Sequence, residues 1–129
     1  MKNKIITTPC GQISWLVPNQ IVKELYLTPA NLNDTKKHNR LLLEHFSVQN
    51  RGILSLVDIR KLRKNPSKEV RDYFVSEEVT QWHLAVAIYV NSGFTRALGN
   101  FYLQLKAPKY PTVLFSNEQK AQAWLSSFL

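Results

Sequence analysis

The sequence predicts an α/β protein with a largely parallel sheet. Three apolar runs typical of buried strands, "GILSLVDI", "AVAIYV" and "TVLF", alternate with helical segments in the second half of the chain. Two β-type runs separated by the turn residues "PNQ" precede them. Strands alternating with helices are typical of right-handed crossovers and parallel pairing. We therefore expect one domain over residues 1–129: a β-hairpin, then alternating α and β, in a mixed, mostly parallel sheet packed with about four helices.

The N-terminal third predicts the hairpin and a first helix. The runs 12–17 and 21–27 are rich in Ile, Val, Leu and aromatic residues, and we expect them to pair antiparallel with the first strand at the sheet edge. Thr28 resembles an N-cap, and Pro29 suits the first helical position. This pattern predicts a helix that ends near Phe46.

Residues typical of helix starts predict where the next helix begins. Pro66 marks its start, with Asn65 or Ser67 as the cap. Ser76 is suited to cap a second short helical turn that leads into the following strand.

The last two helices follow the second and third buried strands. The segment 93–105 has an apolar side, which predicts an amphipathic helix. Ser116 and Gln119 have the spacing of a capping box for the final helix. We expect the three tryptophans to lie in the core or at its edge: Trp15, Trp82 and Trp124.

Positive charge is concentrated in one stretch of the chain. The 129 residues include 17 Lys and Arg against 9 Asp and Glu, which gives a net charge of +8. The segment "VDIRKLRKNPSKEVR", residues 57–71, contains much of this surplus. Residues 60–66 leave the first buried strand; together with Ile59, the last residue of that apolar run, we call them the basic loop. A basic surplus suits phosphate, nucleic acid, anionic lipid or an acidic protein.

The sequence lacks the residues that several other classes of protein require. A single cysteine, Cys10, excludes an intrachain disulfide and a thiolate metal cluster. His38 and His45 lack a third metal ligand, and His83 suits a helix end, where a cation is favourable. No signal peptide or long apolar run is present, so we expect a cytoplasmic, non-enzymatic protein without cofactor, metal or transmembrane segment.

Three segments carry a resemblance to a known fold. "LVDIRKLRKNPSKEVRDYF", "AVAIYVNSGFTRALGNFYL" and "PTVLFSNEQKAQAWL" resemble small bacterial proteins of the STAS-like class, which has the anti-sigma-factor-antagonist, or SpoIIAA-like, fold. The resemblance covers residues 50–129 best and the N-terminal part by element order. It implies the fold strongly and the function weakly.

The resemblance also implies positions within the basic segment. Asp58 matches the aspartate that ends a strand in signalling STAS domains, and Ser67 falls near their phosphorylatable serine. "RKNPSKE" lacks the Asp-Ser-Ser-Gly run of those domains and is basic where they are acidic. From the residues themselves, we expect Asp58 to pair with Arg60 or Arg96, or to cap the adjacent loop.

The predicted binding site lies at the rim where the parallel strands end. Loops leaving the carboxyl ends of such strands share one edge of the sheet, and helix N-termini there favour anions. The expected anion or hydrogen-bond donors are Arg60, Arg63, Lys64, Ser67, Ser92 and Arg96.

Three functions are compatible with this site and surface. The first is a non-enzymatic regulatory or binding module for a protein partner or for a small anionic or lipid-like ligand. The second is a homodimer joined through the edge hairpin, because exposed edge strands pair readily. The third is nucleic-acid binding through charge alone, for which the sequence has no recognition motif.

Overall fold

The computed structural model describes residues 4–91, Gly93, 95–97, Asn100 and 109–129. The strands are β1 (Ile5–Thr7), β2 (Gly11–Val17), β3 (Ile21–Tyr26), β4 (Ile53–Asp58), β5 (His83–Tyr89) and β6 (Thr112–Phe115). The helices are α1 (Leu32–Phe46), α2 (Lys68–Phe74), α3 (Glu77–Thr80) and α4 (Glu118–Ser126).

The strands form one mixed sheet in the order β1-β2-β3-β4-β5-β6. The first three strands pair antiparallel, and β3 to β6 pair parallel. The predicted α/β class, hairpin and parallel half of the sheet are therefore confirmed. The buried run in β4 is covered on both faces, as its continuous apolar sequence predicts.

The predicted edge of the sheet is wrong. The short strand β1 pairs with β2, so each strand of the predicted hairpin has a neighbour on both sides. The edges of the described sheet are β1 and β6. A homodimer through this hairpin would therefore have to pair beyond the three residues that β1 covers, Gln12 to Ser14.

Helix α1 begins three residues later than predicted. The prediction placed the cap at Thr28, but Asn31 is the N-cap, and its side chain accepts a hydrogen bond from the amide of Asp34 at 2.8 Å. Thr28 and Pro29 lie instead in the connection from β3. An Asn cap satisfies the free amides of the first turn, so Pro29 is not needed at the helix start.

The later caps are partly as predicted. Ser67 caps α2 by accepting from the amide of Val70, which confirms one of the two candidates. Ser76 is the N-cap of α3, although its side chain makes no capping bond. The capping box at Ser116 is wrong, because Asn117 caps α4 and accepts from the amide of Lys120 at 2.9 Å.

The helix predicted over 93–105 is described only in part. Gly93, 95–97 and Asn100 have helical backbone, and Thr95 is fully buried. The other residues of that segment, and Ser92 before it, lie outside the described residues.

The core has a layer on each face of the sheet. Helix α4 covers one face, where Ala121 and Leu125 pack with Ile21, Leu54 and other buried strand residues. Helix α1 covers the opposite face, through a cluster formed by Leu42 and Phe46 with Ile13, Val22 and Ile53.

Two predictions about the turn before β5 are wrong. Trp82 is 48% exposed in the turn that follows α3. His83 is the first residue of β5 and does not end a helix, although its Nδ1 lies 2.9 Å from the carbonyl oxygen of Val79 in α3. Helix α3 has only four residues, which brings the strand start forward.

Candidate functional site

A cavity of about 140 Å³ lies between the sheet and helices α1 to α3. Its sheet wall includes Val57, Val86 and Ile88, and its helix wall includes Leu42 and Phe74. Most other lining side chains are also aliphatic or aromatic. Concave, mainly apolar cavities with a few polar groups are typical of small-molecule sites.

The basic loop forms the wall of this cavity at the carboxyl rim of the strands. Ile59 and Leu62 are each 8% exposed and line the cavity together with Pro66. Between these residues, Lys61, Arg63 and Lys64 are exposed. The loop therefore divides its side chains between an apolar wall and a cationic exterior.

Arg60 is committed to a buried ion pair. Its Nε and Nη2 donate to the two carboxylate oxygens of Asp58 at 3.0 and 2.9 Å, and its backbone amide donates to Oδ1 at 3.1 Å. Asp58 is only 1% exposed, and the guanidinium lies 4.0 Å from the ring centroid of Tyr89. The hydrogen bond to Asp58 raises the pKa of Arg60. The expected pairing of Asp58 is thus observed, and it occupies two guanidinium nitrogens.

A lysine from the neighbouring strand joins this pair to α4. Lys23 Nζ lies 4.0 Å from Oδ2 of Asp58 and donates to Glu118 Oε2 at 2.8 Å. These contacts lie on the face of the sheet that α4 covers. The strand-end carboxylate is therefore surrounded by two cations, which explains how it is tolerated in a buried position.

The other predicted donors are dispersed. Arg63 Nη1 donates to the backbone oxygens of Arg60 and Leu62 at 2.9 and 3.0 Å. Lys64 is exposed, and the hydroxyl oxygen of Ser67 accepts the capping bond from Val70, which does not use the O–H as a donor. Arg96 is exposed, and no contact among the described residues joins it to the basic loop. Ser92 lies outside the described residues.

A buried polar network lies in the opposite wall of the cavity. His38 Nε2 lies 2.9 Å from Oε1 of Glu24, and His38 Nδ1 lies 2.7 Å from the hydroxyl of Thr8. Ser55 donates to Oε2 of Glu24, and Tyr26 donates to Oε1 at a longer 3.4 Å. Glu24 and His38 are 4% and 1% exposed, and both line the cavity.

The hydrogen bonds around Thr8 assign the proton on His38. The Thr8 hydroxyl oxygen accepts from the amides of Cys10 and Gly11, both at 3.1 Å, so its own proton points to Nδ1. The ring proton then lies on Nε2, which donates to Glu24. Burial acts to raise the pKa of Glu24, but the hydrogen bonds from His38 and Ser55 hold it below its usual value. Glu24 is therefore anionic at neutral pH.

The network contains a serine, a histidine and a carboxylate, which are the residue types of a hydrolase triad, but they are not arranged as one. Ser55 is fully buried, and its hydroxyl donates to Glu24, so His38 does not activate it. Cys10 is also buried, and burial raises the pKa of its thiol to about 11. A thiol with that pKa is a poor nucleophile at neutral pH.

Sequence reasoning missed this network. It considered His38 only as a metal ligand, and it did not single out Glu24. A signal was present, because Val22, Glu24 and Tyr26 alternate on one face of a β run whose apolar members must be buried. A carboxylate in that phase predicts a buried charge with a partner.

The described ranges contain neither a candidate metal site nor a candidate membrane-spanning helix. No group of three or more His, Cys, Asp or Glu side chains in those ranges could hold a metal ion. None of their helices combines the length and apolar character that a bilayer-spanning segment requires.

Comparison with solved structures confirms the predicted fold. The chain is similar to an uncharacterised protein of the DUF3478 family with a SpoIIAA-like fold, from Shewanella loihica PV-4. The two are 16% identical, the match covers 96% of this chain and 92% of that chain, and the TM-score is 0.56. At this identity the likeness is evidence for the fold alone.

Sequence comparison assigns the family. No curated protein matches the chain. One family model matches residues 15–129, which is most of the sequence. The protein therefore belongs to the family described as Domain of unknown function (DUF7793).

Proposed function

We propose that the protein is a non-enzymatic binding module for a small ligand with an apolar body and an anionic group. The cavity takes the apolar body, and cations at the strand-carboxyl rim bind the anion. One observation carries the proposal: the basic loop supplies an apolar cavity wall through Ile59 and Leu62 and exposed cations beside it. A single ligand of mixed character fits both parts of the loop.

The cavity volume limits the apolar body. At about 140 Å³ it is close to the roughly 150 Å³ of an engineered apolar cavity that binds benzene. An alkyl segment or one ring fits such a space, whereas a large fused ring system does not. The cavity is partly open, so the rest of a longer chain can extend beyond it. A lipid-like chain is the simplest member of this class.

The rim residues divide into two roles in this proposal. Arg63, Lys64 and Arg96 are the anion donors, and the Ser67 hydroxyl at the start of α2 is a hydrogen-bond donor. Ser92 remains a donor expected from the sequence alone. Arg60 is reassigned, because its ion pair with Asp58 leaves it little capacity for a ligand. Its role is to hold the start of the basic loop against the sheet.

Thermal unfolding with matched ligands tests the proposal. The probes are decyl phosphate below its micelle concentration, inorganic phosphate and decanol. We expect decyl phosphate to raise Tm by several degrees at 100 times its Kd, because a ligand adds about 2.7 kcal/mol of stability there. Phosphate and decanol should each give a smaller shift, since each lacks one half of the proposed ligand.

A charge-matched pair of variants localises the effect. Arg63→Ala with Lys64→Ala should weaken decyl phosphate binding about tenfold or more. Lys37→Ala with Lys120→Ala removes the same charge from exposed helix positions and should leave binding nearly unchanged. Absence of any shift with decyl phosphate, or equal losses in both double variants, would contradict the proposed site.

A further inference from the structure

The described residues leave one acceptor position of the Glu24 carboxylate unused. An ionised carboxylate accepts at about four lone-pair positions. The described donors number three: His38, Ser55 and Tyr26, of which Tyr26 is the most distant at 3.4 Å. Glu24 lines the cavity and is 4% exposed, so a ligand there is the available source of a further hydrogen bond.

His38 and Tyr26, which donate to Oε1 of Glu24, line the cavity themselves, but two other contacts of the network lie outside the lining. Thr8, which orients His38, and Ser55, which holds Oε2, are not among the residues that line the cavity. These contacts hold the network in place from outside the cavity, and Glu24 itself lines the apolar space. Burying a charge without hydrogen bonds costs several kcal/mol. The network therefore stabilises the Glu24 carboxylate beside the apolar cavity, where a hydrocarbon ligand would supply no further hydrogen bond.

A second polar group lines the same cavity. The hydroxyl of Tyr110 has no hydrogen-bond partner among the described residues, and its ring stacks near His83 at 5.4 Å between centroids. Burial, together with the charge of Glu24, raises the pKa of Tyr110 to about 12, so the phenol keeps its proton. It can therefore donate to a ligand oxygen.

We propose that the ligand carries a hydroxyl group along its apolar body, which donates to Glu24 and accepts from Tyr110. A hydroxyl does both with a single atom, whereas a ketone only accepts and a plain hydrocarbon chain does neither. This inference rests on the proposed function and specifies the ligand class for the same cavity. Sites built to hydrogen-bond a hydroxyl discriminate strongly against analogues that lack it.

A series of substituted chains tests the inference on the full chain. The probes are decyl phosphates with a hydroxyl on carbon 4, 6 or 8, the matching ketones, and unsubstituted decyl phosphate. Binding is measured by calorimetric titration. We expect at least one hydroxyl isomer to bind about tenfold more tightly than the unsubstituted chain, and no ketone to gain as much, because a ketone cannot donate to Glu24.

Two variants assign the gain to its residues. Glu24→Gln should reduce the advantage of the hydroxyl isomer, because a neutral amide oxygen accepts a weaker hydrogen bond than a carboxylate. Tyr110→Phe should reduce it, and because the Tyr110 hydroxyl has no partner among the described residues, this variant should fold normally. Retention of the full advantage in both variants would overturn the assignment.

The remaining outcomes separate the two proposals. If all chains bind equally, or if ketones equal hydroxyl isomers, the inference is overturned and the proposed function stands. If no decyl phosphate binds, both are overturned.

Discussion

The side chain of Arg60 fixes how the basic loop leaves the sheet. It forms a bidentate contact with Asp58, stacks over Tyr89, and its carbonyl oxygen accepts from Arg63. Arginine suits this position because its planar fork binds both carboxylate oxygens while its face covers an aromatic ring. The first cation of the basic loop, Arg60, is therefore a structural residue.

Removing this guanidinium should destabilise the protein. Arg60→Ala leaves Asp58, which is 1% exposed, with Lys23 at 4.0 Å as its one cationic neighbour among the described residues. We expect the free energy of unfolding to fall by about 1–3 kcal/mol, measured by urea denaturation at pH 7. The matched change Lys64→Ala, at an exposed position of the same loop, should alter it by no more than about 0.5 kcal/mol.

Equal effects of the two substitutions would contradict the structural role of Arg60. Arg60→Lys gives a further check, since lysine keeps the charge but loses the bidentate contact and the stacking. It should recover only part of the lost stability.

At the scale of elements, two glycines differ in the space that surrounds them. A Cβ atom on Gly11, at the start of β2, would lie 1.9 Å from the carbonyl oxygen of Leu25 in β3. A Cβ on Gly93, which has helical backbone, would meet no heavy atom of the described residues within 4 Å. Gly11 therefore permits close strand approach, and no described residue gives Gly93 such a packing role.

Alanine substitutions at these glycines should change stability in opposite directions. Gly11→Ala should lower the free energy of unfolding by at least about 2 kcal/mol, because β2 and β3 must separate to admit the methyl group. Gly93→Ala should raise it by up to about 1 kcal/mol, since alanine favours helical backbone. Urea denaturation of both variants measures the two effects. A loss of stability in Gly93→Ala would show that this position has a constraint beyond helix propensity.

Local sequence signals predicted the elements better than their starts. Continuous β-branched runs located β4, β5 and β6 because burial on both faces leaves an uninterrupted apolar pattern. The caps at Asn31 and Asn117 were missed because Thr28 and Ser116 are equally good caps by residue type. Only the path of the chain decides which side chain reaches an amide of the first turn. Strand β1 was missed because three residues carry too little periodicity.

At the scale of the whole molecule, the buried carboxylate makes stability depend on pH. The pKa of Glu24 is lower in the folded protein than its ordinary value of 4.5. Its ionised form therefore contributes stability that is fully present above about pH 4.5 and is lost as the pH falls through the folded-state pKa. Acid should destabilise the protein partly through this one residue.

A comparison of two glutamates tests this contribution. We expect the free energy of unfolding to fall from about pH 5 to pH 3, and Glu24→Gln should reduce that slope clearly. Glu77→Gln is the control, because Lys109 lowers the pKa of Glu77 in an exposed ion pair that solvent screens. Urea denaturation at half-unit pH steps gives both slopes. A wild-type slope retained in Glu24→Gln would contradict the assigned role of the network.

The candidate site was predicted less completely than the fold. The basic loop and the rim were located because parallel strands place their outgoing loops on one edge. The cavity was not, since it forms only where α1, α2 and α3 meet the sheet, and no short segment contains that information. The role of Arg60 required the position of Tyr89, which comes from a different strand.

The order of the strands has a consequence for biosynthesis. Position in the described sheet follows position in the chain from β1 to β6, so each new strand adds beside the last one made. A ribosome releases the chain in this same direction, and no described strand has to wait for a later one to be inserted between it and its neighbour. The face that α4 covers remains bare until that helix emerges, with Leu54 and Ala85 among its buried residues. Between the synthesis of β5 and that of α4, the nascent chain therefore exposes an apolar surface that favours aggregation.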